Sequence, residues 1–202
     1  MKKIFYLIIT LSSLTFTNSI AQVAKGKFLI GGLINPSFMR SEYSNNNYAS
    51  NIWRINSQIR FGYFLTERFN LGLDLQNYNS IDNSSGSRSR SYSVTAGPLI
   101  RYYFINKKFG FFGEGGAGGG IGWGWATSTS YDWRNQADIK FSNNLSYLKI
   151  GPGINYFLKE NVALEVLVTY QRTWATSSYG NSYENKFRFH LLDVKVGLII
   201  LL

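Results

Sequence analysis

The sequence predicts an all-β chain of eight antiparallel strands, joined in up-and-down order and closed into a barrel. Three observations lead there. Apolar and polar residues alternate through most of the chain. The connections between alternating segments are short and charged or long and polar, in strict turn. The N-terminus has the layout of an export leader.

The alternation is clearest in the middle segments. In Trp53 to Leu65, Trp53, Ile55, Ile59, Phe61 and Tyr63 share one parity, and Arg54, Asn56, Gln58, Arg60 and Gly62 share the other. Successive side chains of a strand point to opposite faces, so each parity is a face. Phe69, Leu71, Leu73 and Leu75 then alternate with Asn70, Gly72, Asp74 and Gln76. Tyr92, Val94, Ala96, Ile100, Tyr102 and Phe104 oppose Ser93, Thr95, Gly97 and Arg101. In FGFFGEGGAGGGIGWGW, residues 109–125, the apolar parity faces a parity made mostly of glycine, with Phe112 and Glu114. Leu148, Ile150, Ile154 and Tyr156 oppose Lys149, Gly151 and Asn155, and Val162, Leu164, Val166, Val168 and Tyr170 oppose Ala163, Glu165 and Thr169. The final segment sets Leu192, Val194, Val196, Leu198, Ile200 and Leu202 against Asp193, Lys195 and Gly197. A first strand around Lys27 to Met39 completes eight.

Three connections are short: Thr66-Glu67-Arg68, Asn106-Lys107-Lys108 and Lys159-Glu160-Asn161. Four are expected to be long polar loops: Ser41 to Ser50, Asn79 to Arg90, Ser128 to Gln136 and Ser177 to Asn185. Long loops all at one end are the habit of small membrane barrels, with short turns and both termini on the periplasmic side. Lys2 and Lys3, the apolar run Ile4 to Phe16 and the small-x-small site Ser19, Ile20, Ala21 predict a signal peptide over 1–21. Residues 22–202 then form one barrel domain. The apolar run is shorter than the roughly 20 residues that a spanning helix needs.

Face chemistry separates a membrane barrel from a soluble one. The polar parity carries Gly, Asn and Ser with single charges at Arg60, Asp74, Arg101 and Glu114, then at Lys149, Glu165, Asp193 and Lys195. Small residues and mutually paired charges suit the crowded lumen of an eight-stranded barrel. The other parity carries aliphatics and aromatics that suit lipid. The prediction is therefore an eight-stranded antiparallel up-and-down transmembrane β-barrel. The charges are expected to form a structural network, with Glu114 between Arg101 and Lys149, that plugs the lumen. Single buried charges need such partners.

GPLIRYYF (97–104), the basic turn and FGFFGEGGAGGG (109–120) resemble the bacterial outer-membrane β-barrel domain family. The ending KVGLIILL resembles the signal read by the barrel-assembly machinery, with Leu202 where an aromatic residue is usual. The resemblance implies location in the cell outer membrane of a Gram-negative bacterium. Lipids, lipopolysaccharide and, during insertion, the assembly machinery are the expected partners, and a monomer is the expected state.

Activity has weaker signals. The formal charge is +10, with Lys2 and Lys3 in the leader, and the basic residues are scattered rather than clustered, against a nucleic-acid partner. Arg88, Arg90, Lys186 and Arg188 are placed to meet lipopolysaccharide phosphates at the rim. The glycine run lacks the Lys-Ser/Thr ending of a phosphate loop, and reads instead as close backbone approach, sharp barrel curvature or room for long side chains opposite. With one histidine, His190, and no cysteine, no metal site or cofactor is expected. Lipid A deacylases, similar barrels, pair a His with a Ser two residues on; here Leu192 stands there. A structural or surface-interaction role without enzyme activity is expected. The alternatives are a narrow channel for small solutes and a lipid-modifying enzyme.

Overall fold

A computed structural model gives the fold, and it describes residues 23–43, 48–84, 87–106, 108–128, 137–179 and 183–202. The expected signal peptide lies outside them. Eight strands follow one another: β1 (Phe28–Tyr43), β2 (Tyr48–Phe64), β3 (Phe69–Ser84), β4 (Ser87–Asn106), β5 (Phe109–Ser128), β6 (Ala137–Lys159), β7 (Val162–Tyr179) and β8 (Tyr183–Leu201). Each pairs antiparallel with its sequence neighbour, and β1 pairs with β8 to close the barrel. Closure gives the backbone donors and acceptors partners within the wall, which a bilayer core demands.

The faces are inverted relative to a soluble barrel. Leu192 is 72% exposed and Ile150 66%, whereas Arg60 and Asp74 are fully buried. The apolar parity therefore faces outward and the charged parity faces the lumen. A chain with this distribution is stable only where its outer face meets hydrocarbon.

Three of the four polar connections are shorter than their composition suggests, while the strands flanking the fourth end at Ser128 and begin at Ala137, where the long connection was expected. Ser41 pairs with Ser50 and Tyr43 with Tyr48. Asn83 pairs with Arg88, Ser128 with Ala137 and Tyr179 with Tyr183. The linking residues 44–47, 85–86, 129–136 and 180–182 lie outside the described residues. The strands run 16 to 23 residues, well beyond the roughly 9–11 that a bilayer requires. Ser, Asn and Tyr do not end the ladder, because in water a hairpin needs backbone pairing more than apolar side chains. The charged turns at the other end are tight. Thr66 Oγ1 accepts from the backbone N–H of Arg68 at 3.2 Å and of Phe69 at 3.0 Å.

Two further features shape the wall. Among the described residues, the β1–β8 ladder runs only from Phe28, which exchanges backbone hydrogen bonds with Leu202, to Ile34↔Val196, while β5 and β6 pair from Phe109↔Tyr156 to Ser128↔Ala137. Pro36, which has no N–H, stands two residues beyond the last β1 pair. Glycines on the lumen face make room for aromatic rings on the strand opposite. Gly118 pairs with Tyr147 and Gly153 with Phe112. A Cβ on Gly118 would stand 2.7 Å from the Tyr147 ring, and one on Gly153 would run into the Phe112 ring.

Gly153→Val is accordingly expected to displace Phe112. The overpacking cost is about 1–3 kcal/mol. The urea midpoint of the lipid-embedded barrel should fall, and an unchanged midpoint would refute this role for the glycine.

Candidate functional site

The only chemistry-bearing cluster that the sequence singles out lies in the lumen, so the lumen is built here from the turn end upward. At its base sits an apolar layer. Val23 is buried there, and Gly26, with φ of 89°, turns the chain from Val23 into β1. Leu29, Phe64, Phe112, Phe157, Ile199 and Leu201 point inward around it, each with 2% exposure or less. Tyr103 joins them, its ring 5.3 Å from that of Phe112 and 5.8 Å from that of Phe64. This layer was not read from the sequence. Its signal was present, as aromatic and aliphatic residues that interrupt the polar parity near the short turns.

A layer of charge rests on it. Glu114 Oε2 accepts from Arg60 Nη1 at 2.6 Å and from Arg101 Nη2 at 2.5 Å. Glu165 Oε2 accepts from Arg101 Nη1 at 2.7 Å, and its Oε1 accepts from Arg60. Each arginine thus touches both glutamates, in a closed square of alternating charge. Lys149 Nζ lies 3.4 Å from Glu114 Oε1 and 2.6 Å from Asp74 Oδ2. Glu114 therefore faces three cations, Arg60 as well as Arg101 and Lys149. The square is held from beneath: the Arg101 guanidinium stacks 3.9 Å over the Phe112 ring and donates to Tyr103 Oη at 3.2 Å. Asn155 Nδ2 donates to the same hydroxyl at 2.7 Å.

Most of these pairs cross the barrel. Arg60 and Asp74 stand opposite each other in the β2–β3 register, yet Arg60 reaches β5 and β7, and Asp74 reaches Lys149 on β6. Asp74 also accepts from Gln58 at 2.6 Å and Gln76 at 2.7 Å. β1 contributes Gly31, beside which the Arg60 guanidinium lies.

Asp193 and Lys195 join through amides. Lys195 Nζ donates to Gln58 Oε1 at 3.0 Å. Asp193 accepts from Asn35 on β1 at 2.9 Å and from Asn56 on β2 at 3.1 Å. Asn35 directly follows the last backbone pair of the closing seam, so Asp193 fastens β8 to β1 where the ladder ends. The amides Asn35, Asn56, Gln58 and Gln76, and the ring of Tyr147, were not anticipated as part of this network. Of the eight charges, four are cations and four are anions, so the layer is neutral.

His190 lies on the outward parity, its Nδ1 2.5 Å from Tyr170 Oη. Among the described residues no group of three or more His, Cys, Asp or Glu side chains has the arrangement of a metal site.

No family model and no curated protein matches the chain. Solved structures do. The outer membrane protein OprG of Pseudomonas aeruginosa aligns over 91% of this chain and 99% of its own, with 16% identity and a TM-score of 0.53. A major outer membrane protein of Thermus thermophilus aligns over 88% of this chain and 99% of its own, with 10% identity and a TM-score of 0.55. The fold is that of the outer-membrane β-barrels. Within such a barrel the eight charges face a lumen closed off from lipid.

Two outcomes are expected of this layer. Glu165→Leu leaves both arginines with Glu114 alone and should cost about 3–5 kcal/mol in the unfolding free energy of the reconstituted barrel. Asp193→Leu should speed amide exchange over Leu29 to Ile34 while the β4–β5 seam stays protected. Uniform protection in that variant would remove Asp193 from the closing seam.

Proposed function

We propose that the chain is an integral outer-membrane barrel with a structural or surface-interaction role, and that its lumen is sealed. Residues 1–21 act as the export leader, and the barrel-assembly machinery inserts residues 22–202 as a monomer. The observation that carries this reading is the stacking of two closures. An apolar layer fills the base, and a neutral layer of cross-lumen ion pairs lies directly on it. A hydrated ion entering the first meets mainly apolar side chains, with the Asn70 amide the polar group among them, and one entering the second must displace a charge from two partners at once. Function then falls to the wall and the outward surface.

That surface favours anionic lipid at the end away from the short turns. Arg90 lies 5.6 Å from the Trp125 ring centre, with Arg88 on the same face, and Lys140 pairs with Trp125 from the other side. Around the barrel, Arg172 lies 5.1 Å from the Trp174 ring, and Trp174 and Thr176 pair with Arg188 and Lys186. Aromatic rings at the bilayer interface beside guanidinium groups match a phosphorylated glycolipid headgroup.

Single-channel recording tests the sealed lumen. The native protein should show no discrete openings in planar bilayers, and steady openings would replace this reading with a narrow channel. Lipopolysaccharide should raise the melting temperature of the reconstituted barrel, and Arg90→Gln with Arg188→Gln should remove most of that rise. An equal rise in the double variant would count against the headgroup contact.

A further inference from the structure

Above the charged layer the lumen opens into a cavity of about 440 Å³. A second, of about 310 Å³, adjoins it, and the two share Tyr78, Ser93, Leu145 and Phe189. Their wall is amphipathic, with amides and hydroxyls on most strands and an apolar patch on β6 and β8. β8 reverses its alternation here. Below, its apolar residues face out; above, Phe187, Phe189 and Leu191 take the lumen parity, and Lys186, Arg188 and His190 take the outward one. On β6, Leu145 and Phe141 face the same space. Phe187 and Phe189 stack at 6.2 Å between ring centres, yet remain 41% and 40% exposed. Inward-facing rings left this open present apolar surface that nothing among the described residues covers.

The floor carries the complementary feature. Asn56 is 6% exposed, and its Nδ2 is engaged with Asp193, but its Oδ1 has no hydrogen-bond partner among the described residues. Gln171 donates to Thr173 Oγ1 at 3.2 Å, and its Oε1 is likewise without a partner. Arg54 Nε, also in the lining, is a donor in the same condition. Buried polar atoms almost always find partners, so these three give the cavity hydrogen-bonding capacity that water or a ligand can meet.

We propose that this vestibule binds a small neutral amphipathic molecule. An aromatic or branched apolar body lies against Leu145, Phe187 and Phe189. An amide or hydroxyl head donates to Asn56 Oδ1 and Gln171 Oε1 and accepts from Arg54. The volume lies within the roughly 300–1,000 Å³ of small-molecule sites. A neutral head that both donates and accepts is indicated because the floor offers two acceptors, Asn56 Oδ1 and Gln171 Oε1, beside one donor, Arg54 Nε. The molecule enters from the end away from the short turns and stops at the ion pairs, so it is held and not passed through.

The test uses N-acetyl-L-phenylalaninamide as probe and the barrel in lipid nanodiscs, followed by saturation-transfer NMR against empty discs. Saturable binding at one site is expected. Phe189→Ser, and separately Asn56→Leu with Gln171→Leu, should each weaken it tenfold or more, and Leu73→Val on the outer face should leave it unchanged. Each variant is first checked for the compact, heat-sensitive migration of a folded barrel; if Phe189→Ser fails, Leu145→Asn takes its place. Uptake that does not saturate, or a loss smaller than tenfold in the lumen variants, overturns the proposal. Conductance plays no part in the readout, so a channel and an empty vestibule are told apart.

Discussion

The square formed by Arg60, Glu114, Arg101 and Glu165 is the constraint to which the rest of the barrel answers. Four ionised groups with no exposed side-chain surface beyond a per cent sit at the centre of a structure surrounded by lipid. Each alone would cost several kcal/mol of lost hydration. Their attraction repays that only with close geometry, and geometry of this kind needs a rigid frame. The frame is supplied from below by Phe112, Tyr103 and Asn155, and from the side by Lys149, which links the square to Asp74 and its amide donors. Because the pairs run from wall to wall, they fix the cross-section of the barrel as well as filling it.

The wall is adapted to the same end. Long side chains on the lumen face need empty positions opposite, and glycine provides them where Tyr147 meets Gly118 and Phe112 meets Gly153. The cost is a strand, β5, that has few lumen side chains of its own and is held by long ladders to β4 and β6. The closing seam is the weak place, its ladder ending at Ile34↔Val196 among the described residues. There a side chain, Asp193, continues what the backbone leaves off. Buried charge in this barrel thus serves two purposes: closing the lumen and closing the wall.

Much of this was legible in the sequence, for a physical reason. Period-two alternation is a local property, and the stretch from Trp53 to Gln76 states the strand, its faces and the turn between. The same parity assigns the charges to one face. With strand order it also places Glu114 beside Arg101 and Lys149 on the flanking strands, but it carries no information about the pairs that cross the lumen, which depend on shear and on distances between walls. Arg60 and Asp74, neighbours in register, part company for that reason. Composition misled at three of the four polar connections, since Ser and Asn are turn residues in general but are also tolerated in water-exposed hairpins. The apolar base and the aromatic vestibule were missed because Phe64, Phe112, Phe187 and Phe189 break a pattern, and a broken pattern has no periodicity to detect.

The claim at the centre is that the charges act as one cross-lumen unit and not as four separate side chains. A double-mutant cycle on Arg101 and Glu165 measures this directly: unfolding free energies in lipid vesicles for the native barrel, Arg101→Met, Glu165→Leu and the pair. Groups in one network couple by about 0.5–3 kcal/mol, while independent sites add to within about 0.3–0.5 kcal/mol. The geometry predicts that the double variant is less damaged than the sum of the two singles, with a coupling above about 2 kcal/mol, near the top of that range. Additivity within error would contradict it.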